Sequence, residues 1–258
     1  MDHITHPDDW QALTDAAPLP QHWAYGVVME RLGARVLRLA QNGRPVQILA
    51  RPGIRLIHRA DPALRLGPLA RHPGLTLAST LATGAGLIPL ITPRTHAVWT
   101  IAAPSPQLHA ALRPTWRHAL NRATARVVAD AGAMPQILAQ AAAQGRARGY
   151  RPLPPEFAQH WPGGVLVLRV GKPLLAGAVF LLHGASASYH AAWSGPRGLE
   201  QGAPRALLWQ AAQRLAARGI TQIDLGAYDA ASPGLAHFKL GTGATAVSLG
   251  ATSLVLPL

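Results

Sequence analysis

Phe238-Lys239, within Pro233-Gly-Leu-Ala-His-Phe-Lys-Leu-Gly-Thr-Gly243, sets an ammonium beside an aromatic ring between two glycine-bearing turns. Of the 24 basic residues only Lys172 and Lys239 are lysines, and the rest are arginines. A chain that keeps a lysine there points to a site that takes a compact ammonium and not a flat guanidinium fork. The competing reading is an ordinary solvated lysine, as expected for Lys172 in a hairpin turn. Other chemistries lack their residues. No G-x-S-x-G elbow, H-E-x-x-H pair, P-loop or dinucleotide fingerprint occurs. With no cysteine, thiol nucleophiles, thiolate metal sites and disulfides are excluded. His3 and His6 lie at a terminus unsuited to a fixed metal site.

The 258 residues, 49% hydrophobic and 14% charged, have the composition of a packed protein of one large or two smaller domains. A formal charge of +13 favours anionic partners such as phosphates, although an arginine-rich, alanine-rich chain is also what a GC-rich genome encodes. The acidic start has no basic region followed by an apolar run, so no export and a cytoplasmic location are expected. His72 to Pro93 is uncharged but interrupted by Pro73, Gly84, Gly86 and Pro89, which argues against a membrane span.

Apolar periodicity supplies the elements that would position Lys239. Trp23, Val27, Val28 and Leu32 predict a helix stopped by Gly33, and Arg35–Ala40 with Val46–Ala50 predicts a hairpin with Asn42-Gly43 at its tip. Strands are expected at Ile54–His58, Leu75–Thr80, Leu87–Ile91 and His96–Ala102, all in the first half. Leu108, Leu112, Trp116 and Leu120 form the stripe of a linking helix that Pro114 either kinks or restarts, with Arg113, Arg117, Arg122 and Arg126 on the other face. A strand from Arg126 and a helix from Met134 to Arg148 follow, then a short helix at Pro155–Trp161 and three strands between Val165 and Trp193. The chain continues with a glycine-containing loop at Ser194–Ala203, a helix at Pro204–Arg218 with stripe Leu207, Leu208, Ala211 and Leu215, and a strand at Thr221–Leu225. A short helix at Pro233–Leu240 and closing strands at Ala246–Leu256 end it. Val36-Leu-Arg-Leu-Ala-Gln-Asn-Gly-Arg-Pro45 and Val165-Leu-Val-Leu-Arg-Val-Gly-Lys-Pro173 echo one another, each shortly after a tryptophan-bearing helix, and suggest two copies of one unit.

This order resembles the GNAT acyltransferase fold, and more closely its Fem-type branch, the peptidoglycan-bridge aminoacyltransferases and their relatives. Trp116-Arg117 with Arg122, Pro204-Arg-Ala-Leu-Leu-Trp209, Gly219-Ile-Thr-Gln-Ile-Asp-Leu-Gly226 and Gly234-Leu-Ala-His-Phe-Lys239 with Gly241 carry the resemblance. It implies an α+β fold with mixed sheets: two GNAT-like units, the second more complete. The expected division is an N-terminal half at 1–103, a helical linker at 104–125 and an acyltransferase domain at 126–258.

The resemblance also implies an activity, transfer of an acyl or aminoacyl group to an amine by direct attack, with no covalent intermediate. Lys239 would then meet a donor phosphate or the developing oxyanion. In such a fold the adjacent parallel strands, here Ala187–Trp193 and Thr221–Leu225, part at one end to leave a slot for the acyl donor. Tyr228 and Asp229 would serve proton handling or amine binding beside it, and Phe238, His190 and Trp193 would line it, although alternation equally makes one of His190 and Trp193 a core residue. Arg117 and Arg122 would hold a diphosphate or tRNA backbone, or else face solvent. Asp224, inside a strand, is expected to be a buried carboxylate with a backbone partner. The loop Gly195-Pro-Arg-Gly-Leu-Glu-Gln-Gly-Ala-Pro204 departs from the R/Q-x-x-G-x-G/A pattern that holds coenzyme A, and Pro204 removes a donor, although an anion near Gly202 and Ala203 stays open. No tightly bound cofactor is expected. The donor would be aminoacyl-tRNA or acyl-CoA, and the acceptor an amine-bearing molecule such as a cell-wall precursor. The alternatives are a CoA-dependent N-acetyltransferase and a catalytically silent module that binds RNA or another polyanion.

Overall fold

The computed structural model describes residues 2–14, 17–150, 153–229 and 232–258. The chain forms two compact units, Met1–His96 with Val247–Leu258, and Ala97–Ala246. The elements are, in order, β1 (Asp2–His3), α1 (Pro7–Leu13), α2 (Trp23–Arg31), β2 (Arg35–Gln41), β3 (Arg44–Arg51), β4 (Ile54–Ala60), β5 (Leu75–Thr80), β6 (Leu87–Ile91), β7 (Thr95–Thr100), α3 (Ser105–Ala111), α4 (Pro114–Asn121) and β8 (Val127–Ala129). They continue with α5 (Met134–Ala147), α6 (Pro155–Gln159), β9 (Val165–Val170), β10 (Ala176–His183), β11 (Ser186–Ser194), α7 (Pro196–Glu200), α8 (Ala203–Ala216), β12 (Gln222–Tyr228), α9 (Pro233–Leu240), β13 (Thr245–Ser248) and β14 (Ala251–Val255).

Two seven-stranded mixed sheets repeat one plan. Their orders are β1-β2-β3-β4-β5-β14-β6 and, read from the matching end, β8-β9-β10-β11-β12-β7-β13. In each, an antiparallel hairpin is extended by a third antiparallel strand and then by a parallel one: β2/β3/β4/β5 and β9/β10/β11/β12. The echoed hairpins found in the sequence are therefore equivalent pieces of the two sheets. Asn42 and Gly43 close the first at φ 53° and 71°, the positive pair a two-residue turn requires.

Two strands lie elsewhere than the sequence order suggested. β7, expected to finish the first half, fills the place next to β12 in the second sheet, and β14, expected to close the C-terminal domain, fills the matching place between β5 and β6. Alternation shows that a segment is a strand but carries no label for its partner, so a nonlocal pairing is invisible to it. The glycine-containing loop after β11 holds the short helix α7, and Pro114 starts a fresh helix at its first turn. Trp99, Trp116, Phe180, Leu208, Ala211 and Leu215 form part of the second unit's core, each no more than 1% exposed. The α8 stripe is thus the one the spacing predicted.

The parallel pairs distinguish the two sheets. Between β4 and β5 the ladder runs from Ile54–Leu75 to Ile57–Ala78, breaks, and resumes at Ala60–Thr80. Arg59 sits in the break at φ 52°, its N–H bonded to Ser79 Oγ at 2.8 Å. Between β11 and β12 the ladder joins Ser186–Ser188 to Gln222–Asp224 and does not resume among the described residues. Among the described residues, the ladder of the first sheet resumes after its break and that of the second ends at Ser188–Asp224.

Candidate functional site

The opening is built into both strands. Beyond Ser188, β11 stays on β10 through to Ser194, but the register shifts by one residue at His190, which bulges the strand. Beyond Asp224, β12 turns at Gly226, whose φ of +78° lies in the left-handed region that a side chain would strain. Asp224 Oδ1 accepts the N–H of Gly226 at 2.8 Å and so caps the turn. The ladder ends at Ser188 and Asp224, so the edge of β11 from Tyr189 onward lies beyond its pairing with β12.

Lys239 reaches this end of β12. Its Nζ donates to the carbonyl of Ala227 at 2.7 Å, and the residue is only 6% exposed. Burial pulls its pKa from 10.5 down to about 8, against the smaller upward pull of the Asp224 charge. It is therefore mostly an ammonium at neutral pH, with two further N–H donors beyond the one on Ala227.

The short helix α9 needs outside support to hold Lys239 there. Trp116, fully buried on α4, donates its indole N–H to the carbonyl of Phe238 at 2.9 Å and packs against that ring at 6.4 Å between centroids. Gly241 lies flat on the same indole, where a Cβ would collide, and its carbonyl accepts the N–H of Arg113 at 2.9 Å. The hydroxyl of buried Thr242 donates to the carbonyl of Lys239 at 2.7 Å. These bonds satisfy the last carbonyls of the helix, groups that otherwise lack an intrahelical partner.

Of the residues singled out in the sequence, Phe238, Lys239 and the end of β12 meet. Tyr228 follows Ala227 and packs on the second core together with Phe238, and Asp229 is exposed just beyond. His190 and Trp193 both lie on the stretch of β11 beyond its ladder with β12. His190 stacks on Phe157 of α6 at 5.5 Å, and burial pushes its pKa down to about 4, so the imidazole is neutral. Trp193 is opposite Gly177, whose missing side chain faces Ile137 of α5. Arg117 spends one guanidinium nitrogen on the Ala110 carbonyl at 3.2 Å, and Arg122 is exposed at the end of α4.

Gly202 and Ala203 open α8, but Ala203 is fully buried and a Cβ on Gly202 would press on Ala123 at 2.9 Å. The amides of Gly202, Arg205 and Ala206 already bond to Leu199, Gly202 and Gly202 carbonyls, and Pro204 has none. Three amides of this turn are thus engaged within the protein, and Pro204 contributes none.

Sequence spacing alone gives Asp224 the role of a buried structural carboxylate, whereas it is only partly buried, and it does not single out Trp116 or Thr242 as site residues. Asp224 does cap a backbone group, and its charge also acts on Lys239. The spacing Asp224-Leu-Gly226, a carboxylate two residues before a glycine in a strand, was the available signal for a capped turn.

Residues 108–245, more than half of the chain, match the model of the acetyltransferase (GNAT) domain. The chain belongs to the GNAT acetyltransferase family. The match to this GNAT protein spans α4, the β11–β12 divergence and α9, every element of the site. Its fold is that of tandem, Fem-type GNAT structures. The crystal structure of FemX is similar over 100% of this chain and 98% of its own, with a TM-score of 0.73 and 12% identity. A conserved protein of unknown function from Bacteroides thetaiotaomicron is similar over 98% of each chain, at TM-score 0.63 and 11% identity. L-PGS from Bacillus licheniformis is similar over 100% of this chain and 94% of its own, at TM-score 0.55 and 12% identity. At such identities the likeness is one of fold. No match to a curated protein sequence is found. Among the described residues no helix is long and apolar enough to cross a membrane, and no group of three or more His, Asp or Glu could hold a metal ion.

Proposed function

We propose that the protein is an N-acyltransferase that moves an acyl or aminoacyl group onto an amine by direct attack in the gap between β11 and β12. The observation that carries this reading is a buried ammonium at the open end of a parallel pair whose counterpart in the first sheet is closed. The donor's acyl segment lies along the free edge of β11 and borrows its backbone hydrogen bonds. The amine nitrogen attacks the carbonyl carbon, a C–N bond forms, and the carbonyl oxygen takes the negative charge. Collapse breaks the bond to the leaving sulfur or oxygen, which leaves with the electron pair, and the nitrogen gives up its proton to water.

Lys239 acts as a fixed cation for the oxyanion or a donor phosphate. A preorganised charge in a water-poor site stabilises such a transition state without reorganising. Tyr228 and Asp229, on the segment after Ala227, take part in receiving the amine or its proton. Arg117 and Arg122 supply outer charge for a phosphate backbone.

The bonded first turn of α8 and the short helix α7 in the preceding loop favour aminoacyl-tRNA over coenzyme A as the donor. Thermal stabilisation and transfer measured with acetyl-CoA and with charged tRNA decide the point. Transfer from charged tRNA is expected, and transfer from acetyl-CoA alone would replace it with a CoA-dependent acetyltransferase. Salt-sensitive RNA binding with no transfer from either donor would leave a silent polyanion-binding module.

A further inference from the structure

A cavity of about 260 Å³ opens on the α5 side of the second sheet, against the part of β11 that has left β12. Leu138, Ala141 and Ala142 of α5 form one wall, Leu153 and Pro155 before and at the start of α6 another, and His190 the floor. Among the described residues, no lysine, arginine, aspartate or glutamate lines it. Half-exposed Tyr150 stands at its margin. The one titratable group of the floor, His190, is neutral at pH 7 and held in place by its stack on Phe157.

An apolar cavity of about 150 Å³ suffices for benzene, so this one has room for a single ring or a branched alkyl group, but it is smaller than the roughly 300–1,000 Å³ of drug-sized sites. A charged group placed here would give up part of its hydration, and none of the described lining residues supplies a counter-charge. The other face of the same strands is closed: Ala187, Ile223 and Leu225 pack there against Leu208 and Ala211 of α8, all no more than 1% exposed. A molecule that approaches the gap from a sheet face therefore comes from the α5 side, past His190.

We propose that this cavity is a subsite for an uncharged apolar group, a branched aliphatic chain or a single aromatic ring, carried by the molecule that brings the acceptor amine. The assignment rests on the transferase reading for the word acceptor, but not for the binding itself. Selection works through exclusion. A substrate whose equivalent group is charged or strongly hydrated gives up water at His190, whereas one with an apolar group gains from burying that surface.

The test follows the His190 imidazole signals by NMR in the full chain during titration with four amines: benzylamine, 3-methylbutylamine, ethanolamine and 1,4-diaminobutane. The first two are expected to shift His190 saturably and the last two not. Ala141→Leu, which fills the cavity from a half-buried helix position, is expected to weaken both apolar amines at least about ten-fold, or ~1.4 kcal/mol. Leu153→Ser, at a 43% exposed position on the wall, gives a second variant that keeps the core intact and is expected to weaken them as well. Equal shifts from all four amines, no shift from any, or unchanged binding in both variants would overturn the subsite. Loss of transfer in a Lys239 variant, with His190 untouched by every amine, would remove the subsite and leave the transferase reading standing.

Discussion

The indole N–H of Trp116 donates to the carbonyl of Phe238 at 2.9 Å and so ties α4 to the helix that carries Lys239. Through this bond Trp116 acts as a positioning residue, since its own side chain is fully buried in the second unit's core. Trp116→Phe keeps an aromatic ring but deletes the donor. Stability is expected to fall by about 1–2 kcal/mol, the cost of an unmet buried carbonyl with a smaller ring. The turnover rate should fall while the acceptor KM stays near wild type. A stability loss with unchanged turnover would show that the bond only holds the fold.

The charge on Lys239 sets a pH dependence. Its ammonium is lost through a midpoint near pH 8, so transfer should decline as pH rises through that value. Asp224 raises the lysine's pKa, so in Asp224→Asn, which can still accept the Gly226 N–H, the alkaline limb should move to lower pH. A limb that stays in place would separate Asp224 from Lys239.

Stability responds to the same group with a definite sign. The folded value of about 8 lies below the ordinary 10.5, so between those pH values the unfolded chain binds more protons and stability rises with pH. The cost of burying the ammonium, about 3 kcal/mol at 1.36 per pH unit, is full below pH 8 and gone above 10.5. Denaturant unfolding of wild type and Lys239→Met should show the variant at least as stable at pH 7, with its advantage shrinking toward pH 10. A constant difference across that range would mean that Lys239 titrates normally.

Gly226→Ala tests the turn that parts the strands. At φ +78° an alanine is strained by about 1–2 kcal/mol, while its Cβ, 3.5 Å from Lys239 Nζ, meets no steric clash. The backbone should relax toward β11, and because a displacement of about 1 Å can cost on the order of 10²-fold, transfer should fall well beyond the stability loss. Transfer that survives intact would mean that the divergence does not depend on this residue.

Much of this was legible in the sequence. The α8 stripe, the restart at Pro114, the repeated hairpins and the short helix that carries Phe238-Lys239 all rest on local spacing, which the chain writes down directly. The placement of β7 and β14 is set by partners far away in sequence, and alternation does not name them. Asp224 and Trp116 were harder for a different reason. Each acts through one bond to a backbone group, and a backbone group has no signature of its own. His190 was read as a slot residue from its strand, but the bulge that turns it onto Phe157 adds one residue to the count and leaves no mark on composition.

Single-turnover acyl transfer by wild type and Lys239→Met, with melting temperatures measured alongside, tests the central claim most directly. Loss of the ammonium is expected to slow the chemical step by about 10²–10³-fold, as removal of an oxyanion donor does, with the melting temperature unchanged or raised. A variant that transfers the acyl group at the wild-type rate would contradict a role for Lys239 in the site.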